Sequence, residues 1–510
     1  MNIVTGAAIR TLAVDALAAA LLGVAAGPAA AASTLCVGAK AGCFAQIQPA
    51  VDAAHDGDTI TVAAGTFAGG ITIDKSVHIQ GAGATGTIIQ GGGPVVTIFR
   101  PSAPDALNVS IDGVTMTGGI NNTQPDPNVT FGGGVWIPTS QLDHPPFNGT
   151  GATVSISNSV ITGNTVTSNS FIPPQTFCGA RACGFNSGGG IDNGGVLTLT
   201  STRVTNNTAG STTSLLSAAS DANAGGIDNR FASALVLRHS VVSGNRAVVN
   251  SSIANGAGSG GIGGDGALTI EDSAVDDNVV EYTGSMDFED QSASNGGIGF
   301  GECHVCDPRP PVSIRNTEVS GNRVTAVNTN TNSTPAAFVG GIGAGAPALL
   351  DHVTVTDNVV QIMGADFAGA DGGGLEVDAP VTMRDSLVAR NSVSVQAPLG
   401  AIAFGGGIAM FGADLTLERT LVVTNSVSAT SAPGPMPFGG VASAFGGGIS
   451  NGAPGIPTAT LTLTDSVVNA NRLSGSAGLP LQGGGVYTTN GLVRTRTVIA
   501  GNKPDDCFGC

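Results

Sequence analysis

The sequence predicts an all-β fold, a single-stranded parallel β-helix (solenoid) whose N-terminal end is covered by a short helix. Three observations predict it. A Gly-Gly-(Gly)-Ile-like motif occurs ten times, each followed by a strand-like run that ends in Asn. Aligned on that Asn, the ten copies fall into columns of like residues. Within the runs apolar and polar positions alternate with period two, with no helical period between them.

The column of asparagines is Asn164, Asn207, Asn245, Asn278, Asn322, Asn358, Asn391, Asn425, Asn471 and Asn502. Three residues earlier every copy is β-branched, from Ile161 and Val204 to Val468 and Ile499. Five residues earlier stands Ser or Thr, as in Ser159, Thr202 and Ser240, with Val353 the exception. Eight and ten residues earlier the copies are apolar, as in Leu199 and Leu197, until Arg494 departs in the last. The alternation shifts phase between the eighth and fifth positions. A phase shift means a corner, after which a second strand begins. The Gly-Gly-Ile segment supplies a third strand, so three short strands per repeat are expected. Like residues then stack coil upon coil, about 4.8 Å apart. Asn suits a left-handed corner, and its stacked amides can donate and accept along the column. A row of ligands is the functional alternative; a neutral column at a buried corner favours the structural one.

Composition agrees. Glycine is 78 of 510 residues without a three-residue period, which excludes collagen. Aromatics are only 4%, too few for a bulky core but enough for a narrow solenoid of Val, Ile, Leu and Ala.

Residues 1–32 read as a secretory signal: Arg10, an apolar run from Leu12 to Gly27, then Ala30-Ala31-Ala32. Asp15 interrupts that run, and a disordered or membrane-retained leader is the alternative. No later stretch is apolar enough to span a bilayer. Residues 33–510 then form one β-helix domain. Ile47, Ala50, Val51 and Ala54 have helical spacing and Gly57 ends it, which predicts a capping helix over 44–56. Coils are expected over 58–502, about a dozen of them and roughly 60 Å in all. Residues 503–510 form a C-terminal disulfide tail.

The opening from Ile47 to Phe67, with its Ile-Gln-x-Ala-Val-Asp-Ala-Ala and Gly-Asp-Thr-Ile elements, resembles secreted right-handed parallel β-helix proteins of the pectin-lyase-like superfamily. The later repeats resemble those of polymorphic outer-membrane proteins, with Gly-Gly-x-Ile and Val-x-x-Asn here in place of Gly-Gly-Ala-Ile and Phe-x-x-Asn. The resemblance runs from Phe44 to Asn502 and implies a right-handed coil. It leaves function open, since such folds host lyases, hydrolases, adhesins and spacers. The outer-membrane proteins carry a C-terminal membrane barrel. This chain closes on Cys507-Phe508-Gly509-Cys510, so free secretion or loose surface association is expected.

Eight cysteines form four local pairs: Cys36/Cys43, Cys178/Cys183, Cys303/Cys306 and Cys507/Cys510. Behind a signal sequence these read as disulfides that clip insertions or ends. Cys303-His304-Val305-Cys306 has zinc-like spacing but lacks a nearby second pair. No metal or other cofactor is expected.

The chain carries −17 net charge with only 19 Lys and Arg, which argues against nucleic acid and anionic membranes as partners. Seven residues before the Asn stand Arg238, Glu271, Arg315, Asp351, Arg384 and Glu418 in six consecutive coils. Alternating sign predicts an ion-pair ladder that sets coil register; a substrate groove is the functional alternative. A threonine column nine before the Asn invites an ice-binding reading, but its neighbouring column is this charged one, which excludes it. Trp136, Phe147, Phe171, Phe177 and Phe185 gather in two long inserts at about 136–150 and 167–187. They either form a sugar-stacking or protein-docking patch or bury one another over the coil wall.

Catalytic patterns are incomplete. Asp276-Asp277 lacks the Gly-His-Gly partner of a polygalacturonase-type hydrolase. The acidic stretch Glu281, Asp287, Glu289 and Asp290 offers calcium ligands but also suits a solvated loop. Esterase-type chemistry needs two Asp and an Arg in a cleft, which spacing alone does not reveal. No catalytic residue is therefore named. The reading is extracellular binding, adhesion or surface display by a monomer, with carbohydrate or a cell-surface protein as partner. A polysaccharide lyase or hydrolase acting on acidic polysaccharide is the alternative, and converging carboxylates with an Arg would favour it.

Overall fold

The structure, a computed structural model, describes residues 32–103, 107–122, 129–139, 151–168, 182–213, 218–251, 256–284, 292–301, 309–328, 331, 335–432, 441–452, 459–476, 480–489 and 491–510. The proposed leader, Phe147, Phe171, Phe177, Cys178, Cys303, Cys306, Asp287, Glu289 and Asp290 lie outside these residues. Among them the chain is β-structure apart from one helix, α1 (Ile47–Ala53). All strand pairings are parallel, and each strand pairs with its equivalent one repeat earlier and later. Leu197, for example, lies between Val154 of the preceding repeat and Leu235 of the next. This in-register stacking is consistent with a parallel β-helix.

A full repeat uses five strands, where the sequence pattern predicts three. In one repeat they are Val196–Thr200, Arg203–Thr205, Thr208–Thr213, Ala218–Asn223 and Ile227–Asn229. The first two belong to one 25-stranded sheet, here sheet I. The third and fourth add to two ten-stranded sheets, II and III, and the fifth to a 13-stranded sheet IV. The predicted corner between the first two strands is a bend within sheet I; Val312–Ser320 crosses it as one strand.

Two cores follow. Sheets I and IV enclose the larger, built from the Leu, Ile and Val columns. Sheets II and III enclose a thinner one, where Val280, Val324, Val360, Val393 and Val427 share a cluster with a column of alanines from Ala222 and Ala257 to Ala403 and Ala444. Strands of Ala, Ser, Thr and Gly carry a weak strand signal, which explains why the sequence pattern shows three strands where five form.

The corners are left-handed, but not at the asparagines. The residue before each ladder Asn has φ between 54° and 73°, from Asp277 to Gly501. The residue six before it has φ between 46° and 54°, from Asn316 to His352. The Asn itself keeps an ordinary backbone. Its side chain points along the stack, so its neighbour makes the turn.

The amide ladder uses every group. Asn207 donates from Nδ2 and from its backbone N–H to Oδ1 of Asn245, both at 3.0 Å. The other Nδ2 hydrogen goes to the carbonyl of Ile161, also at 3.0 Å. The same pattern runs unbroken to Asn502, and all ten asparagines are buried. A hydroxyl ladder runs beside it: Ser240 Oγ accepts from Thr202 N–H at 3.2 Å and donates to a backbone carbonyl. Buried polar groups are thus satisfied coil to coil.

The N-terminal end is covered by α1, which buries Ile47, Ala50 and Val51 in the larger core. It is shorter than the 44–56 expected, because Ala54 leaves the helix with extended backbone. At the other end the tail adds a strand, Cys507–Phe508, beside Val486–Thr488. Two of the four expected disulfides lie among the described residues, joining Cys36 to Cys43 and Cys507 to Cys510. Cys183, whose expected partner Cys178 lies outside the described residues, has its backbone in a strand of sheet III, Ala182–Ser187, beside Ala219 of the next coil, and no described cysteine is free. The small residues around it carry too weak a strand signal to show this in the sequence.

Candidate functional site

Sheet III turns into sheet IV through the Gly-Gly pair, and the outer side of that turn has room for one side chain per coil. The residue before the pair has positive φ, and the sheet IV residue that faces away from the larger core lies four positions later. Where the first is glycine, the second carries a side chain, as in Gly132/Trp136, Gly188/Asp192, Gly372/Glu376 and Gly483/Tyr487. Where the first is larger, the second is glycine, as in Ser259/Gly263, Asn295/Gly299 and Val339/Gly343. Contact distances show why. A Cβ at Gly263 would stand 2.7 Å from Ser259 Cβ, and one at Gly132 2.8 Å from Trp136 Cβ. Only Ala224/Asp228 has side chains at both places. A third glycine before the isoleucine thus marks where this seam can carry chemistry.

At the N-terminal end of the seam these side chains converge. Trp136, Asp192 and Asp228 are neighbours in register on sheet IV, one coil apart. Asp192 is fully buried, whereas Trp136 and Asp228 each keep 9% of their surface exposed. The turn after Ile227–Asn229 brings back Arg230, whose Nε and Nη2 donate to Asp192 Oδ2 at 3.0 and 2.7 Å. The guanidinium carbon lies 3.5 Å from the centroid of Phe131, a cation–π contact. Phe131 stacks on Trp136 with centroids 6.4 Å apart. Ser187 donates to Asp228 Oδ2. Burial pushes the Asp192 carboxyl up to about 7, against the opposing pull of Arg230. Burial also raises Asp228, and the charge of Asp265 adds to that rise. Trp136 Nε1 and Asp192 Oδ1 are buried without a hydrogen-bond partner among the described residues. Two carboxyls, a guanidinium and an aromatic face therefore meet in one place, able to hold polar ligands or exchange a proton near neutrality.

Farther along the seam Asp371 is buried and lifted well above its ordinary value by desolvation and by Asp378. Beyond it runs an aromatic stack: Phe404 on Phe445 at 5.5 Å, Phe445 on Tyr487 at 4.8 Å, and Tyr487 on Phe508 at 5.4 Å. Alignment on the Asn hides this seam, because the Asn-to-glycine spacing varies between copies. Alignment on the Gly-Gly pair reveals it.

Of the aromatics singled out from sequence, Trp136 is in the seam. Phe185 is described by its backbone alone, paired with Val129 and Asp221. The charged column stacks in register from Arg238 through Glu271, Arg315, Asp351 and Arg384 to Glu418. Close pairs form at Arg238–Glu271, 3.0 Å, and Arg384–Glu418, 3.1 Å. The corner columns, which sequence reasoning passed over, hold better ones. Arg390 grips Asp357 at 2.9 and 2.7 Å, and Arg419 grips Asp385 at 2.6 and 2.8 Å. Their alternating signs were readable six and one residues before the Asn. Asp351, His352 and Asp385 bring three ligand atoms within 4.8 Å of one another, but Arg419 already occupies both oxygens of Asp385. A shallow depression nearby, lined by His239, Asp272, Asn316 and Glu318, is part of the same exposed wall. Asp276 is raised to about 6, chiefly by burial, while Glu281 pairs with Arg246 at 2.6 Å.

The chain matches no protein-family model and no curated protein. Among the described residues no helix is long and apolar enough to cross a membrane.

Proposed function

We propose that the chain is a secreted, right-handed, single-stranded parallel β-helix of the pectin-lyase-like kind that binds carbohydrate, free or on a cell surface, without catalysis. The observation that carries the binding reading is the seam at Trp136. It presents aromatic faces beside the carboxyls of Asp192 and Asp228, the pairing that takes up the apolar face and the hydroxyls of a sugar. Handedness follows from the strong preference of parallel crossovers for the right-handed turn. The apolar run Leu12–Gly27 and the bonded pairs Cys36–Cys43 and Cys507–Cys510 support export. The exposed charge columns are taken as register devices, since surface pairs contribute little energy.

Binding of the purified, labelled protein to a panel of neutral and acidic glycans tests this reading. Saturable capture of at least one class is the expected result, and capture of none defeats it.

One observation favours a second reading, acid–base cleavage of acidic polysaccharide. Asp192, lifted to about 7 by burial, stands beside Asp228, which burial raises too, and Arg230, so this carboxyl pair can take up or give a proton near neutrality. Release of reducing or unsaturated sugars by the purified chain, with and without calcium, decides for it.

A further inference from the structure

We infer that Trp136 Nε1 and Asp192 Oδ1 together hold one hydroxyl of a neutral oligosaccharide. The inference rests on the carbohydrate-binding reading and deepens it by naming the sugar class and the atoms. A buried N–H and a buried carboxylate oxygen, each without a partner among the described residues, are costly to leave unmade. Their residues are register partners in adjacent strands, whose backbones run about 4.8 Å apart. A hydroxyl accepts one hydrogen bond and donates another, so one oxygen satisfies both atoms. Phe131 stacks on Trp136 and forms an apolar wall beside them.

Charge selects a neutral sugar. The nearby cation, Arg230, already gives Nε and Nη2 to Asp192 Oδ2. Asp228 and the charge of Asp265 stand close by, and the whole chain carries −17. A uronic acid carboxylate would enter against these charges, with the guanidinium already committed to Asp192. Trp136 and Asp228 retain 9% exposure where Asp192 has none, so a sugar would have to approach from their side.

The chain contains one tryptophan, so its emission reports on this site alone. The full protein is titrated with cello-, xylo- and manno-oligosaccharides and with an oligogalacturonide, while the glycan panel records binding anywhere on the molecule. A saturable emission change with a neutral oligosaccharide is expected. Asp192→Asn should weaken that Kd about tenfold, because Arg230 holds the amide oxygen and leaves the Nδ2 donor where the hydroxyl needs an acceptor. Trp136→Phe, followed by calorimetry, should weaken it by a similar factor with cooperative melting retained. A silent tryptophan overturns the inference. So does a response to the oligogalacturonide alone, or an unchanged Kd in a folded Asp192→Asn variant. If the panel still captures the protein in those cases, the carbohydrate-binding reading survives. Capture of no glycan removes both.

Discussion

Asn502 donates its backbone N–H and its Nδ2 to one oxygen of Asp506, at 2.8 and 3.1 Å. Asp506 thereby replaces the amide oxygen that the next coil would have supplied, and the ladder ends on a carboxylate instead of on two orphaned donors. Asp506→Ala should cost about 1–3 kcal/mol, and Asp506→Asn less than half of that, because the amide keeps an acceptor. Urea unfolding and amide exchange over 486–510 measure both. Equal losses for the two variants would refute the capping role.

A ladder Asn in mid-stack has more to lose. Asn358 accepts from the backbone and Nδ2 of Asn322, and donates to the Val319 carbonyl and to Asn391. Asn358→Ala leaves two buried donors and a carbonyl unmet and should destabilise by about 3 kcal/mol or more. Asn358→Asp should be no better, because the carboxylate cannot donate. A shift in thermal midpoint no larger than that of an exposed control such as Ser155→Ala would refute it.

The seam turn predicts a coupled pair. Gly263→Ser should destabilise, since its Cβ would meet that of Ser259 at 2.7 Å. Ser259→Gly should cost only a few tenths to about 1 kcal/mol, the entropy of an added glycine. The double substitution moves the side chain across the seam, and should recover most of the Gly263→Ser loss. Strict additivity in the cycle would mean that the two positions do not share one space.

Stability should fall from mildly acidic to neutral pH. Asp192 is lifted to about 7 and Asp276 to about 6, and Asp228 and Asp371 are raised as well. Above the unfolded value near 3.9 the folded chain therefore binds more protons than the unfolded one, so stability drops as pH climbs through the folded values. Asp357 and Asp385 work in the opposite direction, held low by hydrogen bonds from Arg390 and Arg419. Their contribution is lost only as pH falls below about 4. Melting temperature should peak at about pH 4–5, and Asp276→Asn should flatten the decline between about pH 4 and 6. A melting temperature that climbs steadily from pH 5 to 8 would contradict this account.

The parts of the fold visible in the sequence were those that repeat with bulky residues. Leu197, Val204 and Asn207 recur in every coil, so sheet I, the larger core and the ladder could be read column by column. Sheets II and III escaped because Ala222 and its column mates are too small to mark a strand by themselves. They are buried only because another small-residue layer faces them. The left-handed corners fell on the residue beside the Asn because the amide is needed along the stack. For the site, Trp136 was legible as a rare aromatic. Asp192, Asp228 and Arg230 were not, since they belong to different coils and meet only when the seam is assembled.

The amide ladder also has a direction. In each Asn the backbone N–H and one Nδ2 hydrogen point toward the C-terminal neighbour, while Oδ1 and the other Nδ2 hydrogen face the N-terminal coil, from the Gly119 N–H that opens the series to the Asp506 oxygen that closes it. The wall is a one-way street for construction: a spare rung can be spliced in at any storey, but never upside down. Lengthening such a molecule by gene duplication is therefore easy, and mirror-image extension of it is not.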